Sequence, residues 1–142
     1  MKLVDLNILL YAVNRDANLH GRAKAWLDEV VWADEPVALS WVGLLGLLRL
    51  STSRRVMPRP LKVHEAAALV DWLLERAAVQ ILDPGPEHWR ILREILTETG
   101  TAGNLTTDAH LAAMAIENGA VLYSTDGDFS RFRGLRWVNP LK

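Results

Sequence analysis

Apolar positions along the chain alternate between two spacings. The runs Lys2-Leu3-Val4-Asp5, Val37-Ala38-Leu39, Val79-Gln80-Ile81-Leu82, Val121-Leu122-Tyr123 and Arg136-Trp137-Val138 are short and bounded by polar or turn-forming residues. Their brevity and β-branched content predict strands. Longer stretches between them carry helical spacing: Leu6 to Val13, His20 to Trp32, Trp41 to about Ser51, His64 to Ala78, Glu87 to Thr99, and Thr107 to the stop at Asn118-Gly119. In the second of these, Ala23, Trp26, Leu27, Val30 and Val31 recur with the period of about 3.6 residues that lines one helix face. Breakers punctuate the pattern at Asp34-Glu35-Pro36, Met57-Pro58-Arg59-Pro60, Asp83-Pro84-Gly85-Pro86, Gly100 and Gly103-Asn104.

Strands separated by helices predict βαβ units. The expected fold is a three-layer α/β/α domain over residues 1–142, with a central, mainly parallel sheet of four to five strands. With 142 residues, half of them hydrophobic, the chain suits one compact core. It carries no internal repeat, low-complexity tract or linker.

Composition narrows the chemistry. The absence of cysteine removes a disulfide framework and a thiolate zinc site. A net charge of -1 neither predicts nor excludes a polyanionic partner, so local charge has to decide. The N-terminus lacks the basic start, apolar core and cleavage site of a signal peptide, and the most apolar stretch, Val37 to Leu50, is too short to span a bilayer. A cytoplasmic protein is expected.

Three acidic positions then stand out. Asp5 closes the first strand, Asp126 and Asp128 follow the fourth, and Asp108 opens the apolar helix pattern Ala109 to Ile116. In an open α/β sheet the crevice lies beyond the carboxyl ends of the strands, so these acids share a destination. Carboxylates brought together repel by about 4 kcal/mol per pair at roughly 4 Å and an effective dielectric near 20. Protonation or a cation must relieve this. An all-oxygen donor set without cysteine or paired histidine fits Mg²⁺ or Mn²⁺ better than zinc. Each acid also has an ordinary structural use: Asp5 as a helix cap, Asp108 at the positive end of its helix, Asp126-Gly127-Asp128 as a turn.

The segments Asp5-Leu6-Asn7-Ile8-Leu9-Leu10-Tyr11-Ala12, Thr107-Asp108-Ala109-His110-Leu111-Ala112-Ala113 and Ser124-Thr125-Asp126-Gly127-Asp128-Phe129, with Phe132 and Gly134-Leu135 beyond, resemble the PIN-domain family. More narrowly, the chain is similar to VapC-type toxins of bacterial toxin–antitoxin pairs, of the mycobacterial-type group that ends in Asn-Pro-Leu, here Asn139-Pro140-Leu141. The likeness runs the whole chain. It implies a Mg²⁺- or Mn²⁺-dependent endoribonuclease that cuts transfer RNA or another structured RNA, inhibits translation and growth, and is neutralised by a cognate antitoxin. It also implies that Asp5 and Asp108 hold the metal, that Asp126 holds it directly or through water, and that Asp128 lies close by. Asn7 and Thr125 are expected to orient carboxylates or a ligand water.

One position departs from the family pattern. Where a glutamate is usual in the helix after the second strand, this chain has Gly46. The alternative reading is therefore a weakened module that acts by binding RNA or its antitoxin. A haloacid dehalogenase-type phosphatase is a more remote alternative, since its second aspartate would fall at Asn7.

Other residues take supporting parts. Arg54, Arg55, Arg131 and Arg133 are expected to contact RNA phosphates, with Arg59, Lys62 and Arg136 nearby. Arg49, a charge in an apolar helix, is expected to find a partner among the site acids. The tryptophans, Trp26, Trp32, Trp41, Trp72, Trp89 and Trp137, are expected to pack in the core or an interface, and no histidine is a convincing acid–base catalyst. Surplus apolar surface on the helices around Trp26 to Leu50 predicts a homodimer contact and an antitoxin site.

Overall fold

A computed structural model describes residues 1–142. The elements run β1 (Lys2–Val4), α1 (Leu6–Val13), α2 (His20–Val31), β2 (Val37–Leu39), α3 (Trp41–Ser51), α4 (Val63–Leu74), β3 (Val79–Ile81), α5 (His88–Thr99), α6 (Thr106–Glu117), β4 (Val121–Tyr123) and β5 (Trp137–Val138). Tight 3-10 turns cover Gly103–Leu105 and Gly127–Arg131. No helix is long and apolar enough to cross a membrane.

All five strands are parallel, in the order β3-β2-β1-β4-β5. Strands this short sort their side chains by period two. Val4, Val37 and Leu39 join one core with α1 to α4, while Leu3, Ala38 and Leu122 join a second with α5 and α6. Helices thus cover both faces, the arrangement a parallel sheet requires. On the second face α6 contributes mainly alanine, with Ala109, Ala112, Ala113 and Ala115 buried, so its backbone can approach the sheet closely.

The strand order carries the functional consequence. The chain builds outward from β1 through β2 to β3, then returns to the other side of β1 to add β4 and β5. The reversal point lies between β1 and β4, where a crevice opens beyond the carboxyl ends.

Two expectations need correction. The helix projected from His64 to Ala78 ends at Leu74. Just beyond that end the Arg76 guanidinium stacks on the indoles of Trp32 and Trp72, at 4.6 and 4.9 Å from their ring centroids. The tryptophans divide: Trp26, Trp72 and Trp137 pack half-buried against the two cores, as expected, whereas Trp32, Trp41 and Trp89 are 68%, 49% and 65% exposed.

Candidate active site

Asp5 follows β1 directly, and its neighbour across the sheet is Ser124, one residue past the paired Val4 and Tyr123. Its backbone N–H donates to the Tyr123 carbonyl at 3.0 Å, which holds the two chain ends in register. Continuing the strand alternation, Asp5 shares a face with Leu3, and Ser124 with Leu122, the face that α6 covers. Asp108 sits in the first turn of α6. Topology alone therefore brings a strand-end acid, a strand-end hydroxyl and a helix-start acid to one crevice.

Asp5 is only 8% exposed. One carboxylate oxygen accepts the Leu6 N–H at 2.7 Å and caps α1; the other accepts the Ser124 hydroxyl at 2.7 Å. The structural and the chemical reading of this residue thus hold together. Burial pushes the Asp5 carboxyl above its ordinary range, the Ser124 and Leu6 donors pull it back, and the charge of Asp126 raises it further.

Ser124 is the hub of the network. Fully buried, its oxygen donates to Asp5 and accepts from the Asn7 amide at 3.1 Å and from the Asp126 N–H at 3.0 Å. These contacts use the hydroxyl's one donor and both acceptor sites. Asn7 also reaches the Thr125 N–H through its side-chain oxygen at 3.4 Å. Asp126 accepts the Asp128 N–H at 2.9 Å and so starts the 3-10 turn that carries Asp128.

Asp108 reports that the four acids share one field. Its carboxyl is pushed up to about 6, first by desolvation and then by the charges of Asp5, Asp126 and Asp128. The one cation in ion-pair reach of these acids is Arg131, whose Nε lies 3.9 Å from Asp128 at the exposed rim. In donor type and charge these residues fit a hard divalent ion. Their spacing is open, with no three His, Asp or Glu groups closed around a single point.

Several expected participants stand elsewhere. Thr125 contributes its backbone N–H, and the hydroxyl that orients Asp5 is that of Ser124, which opens the third motif segment but was given no role from sequence. Arg49 is exposed and pairs with no carboxylate. It lies four residues from exposed Leu45 and eight from exposed Trp41, on the outward stripe of α3. Arg54, Arg55, Arg131 and Arg133 are exposed as expected of phosphate-binding side chains. Gly46 is buried, and a Cβ there would meet Leu6 Cδ2 at 2.6 Å, so a side chain at this position requires the Leu6 tip to move. His88 and His110 face each other at 2.9 Å between ring nitrogens, and burial followed by the His88 charge lowers the His110 pKa.

Comparison with known proteins agrees with the geometry. The PIN domain family model matches residues 2–135. The chain is similar to ribonuclease VapC37 of Mycobacterium tuberculosis, at 45% identity over 99% of this chain and 97% of that protein. It is also similar to ribonuclease VapC33 of the same species, at 42% identity over 100% and 99%. Among solved structures, VapBC2 from Rickettsia felis, bound to a DNA fragment from its promoter, matches with TM-score 0.71 at 23% identity over 97% of each chain. M. tuberculosis VapC20, a sarcin-ricin loop cleaving toxin, matches with TM-score 0.69 at 22% identity over 96% of this chain and 99% of that one.

Proposed function

This chain belongs to the PIN-domain family, among its VapC ribonucleases, and from that footing we propose that it cuts RNA as the toxin of a toxin–antitoxin pair, through a site built on Asp5, Asp108, Asp126 and Asp128. The observation that carries the reading is the convergence of these acids: Ser124 ties Asp5 to the Asp126 backbone, Asp126 holds Asp128, and all three carboxylates raise Asp108. Such a cluster is poorly suited to holding a fold together and well suited to holding a cation.

Asp5 and Asp108 would hold a Mg²⁺ or Mn²⁺ ion directly, with Asp126 bound to it or to one of its waters. When bound, the ion lowers the pKa of a coordinated water and offsets the charge that develops on the phosphodiester. The Ser124 hydroxyl favours the ionised form of Asp5 against the opposing effect of burial and fixes its orientation, and Asn7 holds Ser124 in turn. Asp126 or Asp128 accepts the attacking water's proton. Hydrolysis by water leaves a 3′-hydroxyl and a 5′-phosphate. The exposed, unpaired Arg54, Arg55 and Arg133 supply backbone phosphate contacts that fix the RNA without reading its sequence.

The exposed stripe of Trp41, Val42 and Leu45 on α3 supports a protein contact, either with a second copy or with the antitoxin, acting in the cytoplasm. Gly46 favours one second reading. With position 46 filled by Leu6, α3 adds no carboxylate, and the chain would then bind RNA or antitoxin while cutting slowly.

Cleavage of a fluorogenic RNA during Mn²⁺ titration tests both. The wild type is expected to cut with saturable dependence on Mn²⁺, and Asp5→Ala to lose that activity by more than about 100-fold. Binding without metal-dependent cleavage in the wild type would favour the weakened module.

A further inference from the structure

The 3-10 turn Gly127–Arg131 repeats every three residues, so side chains three apart eclipse one another. Phe129 and Phe132 use that repeat inward. They are 1% and 3% exposed, sit edge to face with ring centroids 5.9 Å apart, and anchor in the core beneath α5 and α6. Asp128 and Arg131 use it outward, with Arg131 Nε 3.9 Å from Asp128 Oδ1 and both side chains more than half exposed. The buried phenylalanines therefore fix the root of the arginine at the edge of the acid cluster.

No other ion pair in the chain joins a cation to any of the four acids. An exposed pair at this distance adds little to stability, so holding the fold does not explain the placement. Approaching RNA needs it more. Four carboxylates face a polyanion, and a single divalent ion offsets only part of their charge. A guanidinium turned to Asp128 by its Nε edge keeps its two Nη groups for a planar contact with phosphate oxygens.

We propose that Arg131 is a phosphate-binding residue that grips the RNA backbone beside the acid cluster and offsets the cluster's repulsion of its own substrate. The proposal rests on the ribonuclease reading. Asp128 then orients the guanidinium as well as facing the attacking water.

Anisotropy of a fluorescein-labelled RNA hairpin in EDTA, where nothing is cut, tests this across about 50 to 200 mM salt. Arg131→Gln is expected to lower the slope of log affinity against log salt by about 0.7 to 0.9, weakening binding about five- to eightfold near 0.1 M. Arg131→Lys should keep the salt slope, which follows charge, but only part of the affinity, since a point charge replaces the planar contact, and the thermal midpoints of all three proteins should agree within about 2 °C. An unchanged slope in Arg131→Gln overturns the proposal. So does an equal loss of slope in Arg131→Lys, because the neutralised charge survives that change. If the wild type neither binds nor cuts RNA, the ribonuclease reading falls and this one with it; wild-type binding that Arg131→Gln leaves untouched removes this one alone.

Discussion

Ser124→Ala removes one oxygen from the centre of the site and leaves the acids in place. The oxygen is fully buried and donates to Asp5 at 2.7 Å. A hydrogen bond to a buried charged group contributes about 1.5 to 3 kcal/mol. Its loss strips the Asp5 carboxylate of one of two donors, leaving only the Leu6 N–H at 2.7 Å. Burial already raises the Asp5 pKa, so the variant raises it further and disfavours the ionised form that a metal needs. The Asn7 amide and the Asp126 N–H lose their acceptor too, although both are partly exposed and water can replace it. Expressed as transition-state stabilisation, kcat/KM should fall about 10- to 150-fold. Half-saturation should move to higher Mn²⁺, and the acid limb of the pH–rate profile should move to higher pH. RNA cleavage across pH at several Mn²⁺ concentrations measures all three, with circular dichroism confirming that the variant folds. Wild-type Mn²⁺ dependence together with an unmoved acid limb would refute the role given to Ser124.

The metal-free protein should lose stability as pH rises from about 4 toward 7, because Asp108 titrates near 6 in the fold and at its ordinary lower value unfolded. The contribution of the neutral carboxyl is full below the unfolded pKa and gone above the folded one. Thermal melts in EDTA should therefore show a higher midpoint at pH 5 than at pH 7, Asp108→Asn should flatten that slope, and added Mn²⁺ should raise the midpoint more at pH 7 than at pH 5. A wild-type slope of the opposite sign would contradict the shared field. At Gly46 two terms oppose each other: alanine gains about 1 kcal/mol of helix propensity, while the Leu6 contact at 2.6 Å must be relieved at about 1 to 3 kcal/mol. In urea unfolding, Gly46→Ala is expected to be neutral to destabilising in the wild type and stabilising by about 1 kcal/mol in a Leu6→Ala background. Equal effects in both backgrounds would show that the two residues do not compete.

What the sequence disclosed and what it hid divide along a physical line. Elements whose periodicity is set by burial were readable. β2 runs Val37–Leu39, α3 runs Trp41–Ser51 and β4 runs Val121–Tyr123, all as expected from alternating apolar positions. Features set by one side chain meeting another across the fold were not. α4 stops at Leu74, just before Arg76 meets Trp32 from more than forty residues earlier, and the apolar pair Ala77-Ala78 gave no warning of that contact. Arg49 misled for the reverse reason. Its helix is apolar on both sides, so the charge looked stranded, yet its spacing from Trp41 and Leu45 already placed it on the outward stripe.

Ser124 shows where a sequence signal existed and went unused. Within the segment Ser124 to Phe129 it drew no role of its own, because the aspartates beside it carried the chemistry. Counted from Leu122 by the strand period of two, it belongs to the core-facing register, and Leu122 and Ser124 are both fully buried. A hydroxyl in that register must find a donor or acceptor partner on folding. The same count on β1 runs from Leu3 to Asp5, and parallel pairing sets Asp5 opposite Ser124. Two independent registers thus point a carboxylate and a hydroxyl at each other beneath α6, before any motif is invoked. The topology makes that meeting functional. Because β1 and β4 flank the reversal of strand order, the crevice between their ends is open enough to admit Asp108 from above, whereas the same pair inside a continuing run of strands would be covered by the next crossover.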